Sequence, residues 1–104
     1  MFCFINQIFI NVHFKHAFIQ HYFSNAKALK RTYPDLVWDE YYYLTIALDN
    51  ALGGRWDNII DKPAYKHLSF TQLVKVVTLL EQYKKDKAKL LADRKTSLEY
   101  REFT

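Results

Sequence analysis

Apolar residues in the stretch LSFTQLVKVVTLLEQY, Leu68 to Tyr83, recur at the three- and four-residue spacing of a helix. Phe70, Leu73, Val74, Val77 and Leu80 share one face, and Val76 and Tyr83 widen it. Ser69 and Gln72 stand at capping-box spacing, and Leu68 and Leu73 are placed for a hydrophobic staple. The stretch therefore predicts a capped helix from Phe70 whose stripe is core. Beyond Tyr83 the run KKDKAKLLADRK keeps strong helix formers, and neither glycine nor proline follows Pro63. The same helix is expected to continue to about Lys95 on these propensities. Residues 96–104 are expected to form a loosely ordered tail, or a short helix started by Thr96 with Glu99 and carrying Leu98, Tyr100 and Phe103.

A second helix is predicted from 35 to 52. Pro34 marks its boundary, Asp35 or Thr32 can cap it, and Asp39 and Glu40 favour its positive end. Val37, Tyr41, Leu44, Leu48, Ala51 and Leu52 form its expected core face, with Trp38, Tyr42 and Tyr43 around it. Gly53-Gly54 supplies the left-handed geometry that ends helices. After it, Trp56, Ile59 and Ile60 predict a single packed turn, and Asp61 to Pro63 the next turn.

The first 26 residues, MFCFINQIFINVHFKHAFIQHYFSNA, are rich in phenylalanine and histidine, and no acid occurs before Asp35. Helix is favoured over 14–31, while 4–14 fits a helical face and a strand alternation equally. A signal peptide is not expected, because no basic region precedes the apolar run and Asn6, Gln7 and Asn11 interrupt it. Lys15 arrives too early for a membrane span. Two explanations fit this beginning: an amphipathic segment that docks on the core or on a partner, or translated A/T-rich leader. A mass measurement of the native protein separates them.

The elements predict an all-α fold, a small bundle of three to four helices in one domain, with a long C-terminal helix. The 104 residues suffice for a modest core, and two glycines and two prolines are too few for a many-turned β fold.

The chemistry is sparse. Cys3 is the lone cysteine, which points to a reducing, intracellular compartment and has no zinc-module company. His13 and His16 share a helical face, but His21 is rotated away and no carboxylate lies near in sequence, so no metal site is expected. Asp57, Asn58 and Asp61 miss the calcium-loop pattern. No nucleophile–base–acid set can be nominated, and the glycine pair forms no phosphate-cradling loop. These features predict a protein that is not an enzyme, without cofactor, metal or evident small-molecule substrate.

Charge adds one signal to this picture. Residues 35–61 hold six acids against Arg55 alone, a net of −5, whereas residues 62–104 hold ten basic residues against five acids, a net of +5. A two-sided molecule is expected, suited to head-to-tail self-association or a charged partner. The leading reading is a protein–protein interaction or assembly module, with Phe4, Phe9, Phe14, Phe18, Trp38, Tyr42 and Tyr43 as contact residues. The alternative is a nucleic-acid-binding accessory protein using Lys84, Lys85, Lys87, Lys89, Arg94 and Lys95. A helix-turn-helix is not expected, because the helix from Phe70 is too apolar to lie in a groove. Nor is a coiled coil, because Lys84 and Lys87 break the heptads.

Overall fold

The structure is a computed structural model that describes the backbone of residues 2–102 and the side chains of residues 15–102. It is an all-α bundle, and no strand occurs among the described residues. Helix α1 spans Phe2–Thr32, α2 Glu40–Leu52, α3 Ala64–His67, α4 Phe70–Lys85 and α5 Lys87–Glu102. Short 3-10 turns at Pro34–Leu36 and Trp56–Asn58 flank α2. One continuous helix thus covers both the 14–31 segment and the 4–14 stretch left open by periodicity.

Helix α4 begins as its sequence predicts. The Ser69 hydroxyl accepts from the Gln72 amide at 3.1 Å, and the Gln72 side chain accepts from the Ser69 amide at 2.8 Å. Such a cap stabilises by about 1 kcal/mol. Leu68, Leu73, Val76, Val77, Leu80 and Tyr83 are all buried, whereas Phe70 and Val74, which the spacing places on the same face, are half-buried at its margin. The stripe is therefore the centre of the core, met by Tyr22, Ala26 and Leu29 of α1 and by Leu44, Ile46, Ala47 and Leu48 of α2.

The long C-terminal helix is two helices. Asp86 leaves helical geometry at φ −143° and ψ 92°, and its carboxylate accepts from the Lys89 amide at 3.0 Å, starting α5 afresh. From across the bundle, the Tyr33 hydroxyl donates to the Tyr83 carbonyl at 2.7 Å and so satisfies an end carbonyl of α4. The break folds α5 back onto α2, where Leu90 and Ser97 are buried. The expected loose tail is thereby corrected, since helix continues to Glu102.

Helix α2 starts later than its pattern suggests. Pro34–Leu36 makes a separate turn, Val37 adopts a left-handed conformation with φ 55°, and Asp39 becomes the cap by accepting from the Tyr42 amide at 2.8 Å. Val37 therefore lies outside the helix and is 87% exposed, and Tyr41 is exposed too. The buried positions are instead Tyr43 through Asp49, because α1, α4 and α5 all pack on α2 and little of its circumference is left to water. The end of α2 is as predicted. Gly53 at φ 75° directs its amide to the Asp49 carbonyl at 2.9 Å. In the following turn Trp56 is buried, but Ile59 is half exposed.

Candidate functional site

The charged groups are largely spent on closing the bundle. Asp49, 0% exposed on the last turn of α2, receives the Trp56 amide at 3.0 Å and the Ser97 hydroxyl at 2.6 Å. Arg101 of α5 grips it with two nitrogens, at 2.9 and 3.1 Å, and a further nitrogen contact reaches Asp57 at 3.6 Å. Arg55 binds Asp57 with two nitrogens as well, at 2.9 and 3.1 Å. That hydrogen bonding holds the Asp57 carboxyl below the usual carboxylate range. A parallel lock joins α4 to α5. Buried Tyr83 donates to Asp93 at 2.7 Å, and Lys89 and Asn50 complete the contacts of Asp93 through its carboxylate and carbonyl. Burial first, then the hydrogen bond to Asp93, pushes the Tyr83 phenol far above its ordinary pKa.

The expected two-sided molecule therefore folds its two charge blocks onto each other. Asp35 meets Lys87 at 2.6 Å, and Asp49 and Asp57 meet Arg101. Residues 35–104 sum to zero, and the net +4 of the chain equals Lys15, Lys27, Lys30 and Arg31 of the first 34 residues.

The same folding uses most of the basic residues nominated for nucleic acid. Lys84 bonds Asn25 at 3.1 Å and pairs with Glu81, and Lys87 lies 5.6 Å over the Tyr33 ring besides its bond to Asp35. Lys89 pairs with Asp93 at 3.2 Å. Arg94 donates to the Tyr42 hydroxyl at 3.0 Å and stacks 5.0 Å from the Trp38 ring. Lys85 and Lys95 are exposed and have no ion pair among the described residues. The patch is thus dispersed rather than lined up, because the break at Asp86 places its two halves on different helices.

Of the nominated aromatics, Phe4, Phe9 and Phe14 lie outside the described side chains. Phe18 packs edge-on against Phe70 at 5.7 Å, within the bundle rather than beyond it. Tyr43 is fully buried and cannot offer its ring to a partner, a correction that follows from α2 being enclosed on three sides. Trp38 and Tyr42 are half-buried, 4.9 Å apart, and form the platform on which Arg94 rests.

Among the described residues, what remains builds two concavities that sequence periodicity does not single out. The more apolar one, about 280 Å³, lies between α1, α2 and the segment around Pro63. Tyr22, Phe23, Tyr41, Leu44 and Tyr65 are among its lining, and Lys62 is its only charged lining residue among the described residues. Phe23, 40% exposed, meets Tyr22 at 4.9 Å and Tyr65 at 5.1 Å, both edge-on. Burial raises the Tyr22 phenol well above its ordinary pKa, so it stays neutral in this wall. The second concavity, about 360 Å³, is lined by Lys30, Tyr33, Pro34, Val37, Trp38 and Asp39.

His16, His21 and His67 are exposed, and no His/Cys/Asp/Glu cluster suited to a metal ion occurs among the described residues. No helix, among the described residues, is long and apolar enough to cross a membrane. Comparison with family models, curated proteins and solved structures finds no match to this chain.

Proposed function

We propose that the protein is a non-enzymatic interaction module that self-associates inside the cell through the apolar groove at Phe23. The carrying observation is that groove: aromatic walls, a ring edge open to water and a single charged residue make a receptacle for an apolar side chain, not for a polar substrate. The chain supplies its own candidates, since no charge occurs before Lys15 in a stretch dominated by Phe and Ile. Its lone cysteine suits a reducing compartment. The nucleic-acid alternative has less support, because Lys84, Lys87, Lys89 and Arg94 already hold partners within the chain.

Replacing Phe23 with glutamate tests the reading. A carboxylate at the groove's edge meets apolar walls, so self-association should weaken by roughly 30-fold or more, the scale of an interface hot spot. Dilution followed by light scattering reads the effect, with the circular dichroism of the variant unchanged. Unaltered association of Phe23→Glu would remove the groove from the contact.

A further inference from the structure

The turn from Tyr33 to Asp39 carries an unexplained combination. Val37 is a β-branched residue at φ 55°, a conformation in which its side chain crowds the backbone, and it is also the most exposed large apolar residue among those described. Folding gains nothing from that side chain, and solvent contact penalises it. Beside it lies the concavity lined by Tyr33, Pro34 and Trp38, with Lys87 and Arg94 stacked on its two aromatic rings. Lys30 and Asp39 are the charged residues of its lining, and Lys27 and Arg31 are exposed on the same end of α1 as Lys30. None of these three cations has an ion pair among the described residues. Their position at the helix C-terminus suits the helix dipole. The dipole does not account for Val37.

We propose that this turn and the last turn of α1 dock an acidic segment of another protein, which lays an apolar side chain against Val37 and Trp38 and its carboxylates over Lys27, Lys30 and Arg31. Charge complementarity selects that occupant. Residues 35–104 are electrically balanced, and these three cations carry most of the net charge of +4. Nucleic acid fits less well, since Asp39 lines the same concavity and Glu40 follows it in the chain, acids that repel a continuous phosphate backbone, whereas a peptide can place its carboxylates one by one. A phosphodiester also has no use for an exposed valine. The pattern is that of an interface in which an apolar anchor gives affinity and surrounding charge gives orientation.

The test uses the full chain as bait for phage-displayed random short peptides, with Val37→Asn and the pair Lys30→Glu, Arg31→Glu as comparators. Asparagine tolerates the left-handed conformation, so Val37→Asn should raise the melting midpoint by about 4 to 8 °C while removing the anchor. Selected peptides should be rich in Asp and Glu around an apolar residue, and each variant should weaken their binding at least roughly tenfold, as expected for a central anchor or charge contact. Peptides without acidic enrichment, or bound equally by the variants, would overturn the proposal. So would a lower midpoint for Val37→Asn, or displacement of the peptides by single-stranded DNA. Resonance shifts at the turn on simple concentration of the protein would identify a second copy as the occupant instead.

Discussion

Replacing Asp49 with alanine should cost about 3 kcal/mol of stability, the scale for breaking a buried ion pair, and lower the melting midpoint by roughly 15 °C in a domain of this size. The carboxylate has no contact with water and four hydrogen bonds to neighbours on two other elements. Its loss strands the Trp56 amide and the Ser97 hydroxyl in the interior and leaves Arg101 gripping nothing but Asp57 at 3.6 Å. Unpaired buried donors account for most of the penalty. Asparagine at the same site keeps an acceptor and should cost less. Thermal and urea denaturation of both variants check the order, and an alanine variant as stable as the parent would show that the lock contributes nothing.

Alkaline pH should dissolve the bundle for a different reason. Burial raises the Tyr22, Tyr43 and Tyr83 phenols above their ordinary value, with the hydrogen bond to Asp93 adding to the effect at Tyr83. A group whose folded pKa is raised stabilises the fold fully below its unfolded pKa, about 10 for tyrosine. That stabilisation is lost as the pH climbs from there toward the folded values. These phenolates should therefore emerge in a late phase, only as the helices melt, and not in an early phase with helix content intact. Phenolate absorbance and circular dichroism recorded on one titration separate the two phases. If every tyrosine titrates before any helix is lost, the buried phenols are not coupled to folding.

The parts of the fold legible from the chain are those fixed by local chemistry. The Ser69–Gln72 cap, the stripe from Leu68 to Tyr83 and the Gly53 stop each depend on a few neighbouring residues; the cap and the stop are found as expected, and the stripe is buried except for Phe70 and Val74 at its margin. The break at Asp86 was less visible, although an aspartate three residues before Lys89 is itself a cap signal. Strong helix formers on both sides masked it, and the Tyr33 hydroxyl that satisfies the end of α4 comes from 50 residues away. Val37 fits a helical face on paper because periodicity does not register the separate turn that Pro34 begins. The charge blocks are correctly counted in the sequence, but their meaning depends on which helices touch, and the ion pairs of Asp35 and Asp49 cross 52 residues. The groove at Phe23 arises from such a long-range meeting, so no spacing along the chain announces it, whereas the other concavity is lined by residues between Lys30 and Asp39 and depends on that same local turn.

Self-association through the groove at Phe23 is the central claim, and sedimentation equilibrium of the full chain over a wide concentration range tests it most directly. The weight-average mass should rise from the 12.5 kDa of one chain toward twice that value as concentration increases. A mass fixed at that of the single chain at every concentration would contradict it.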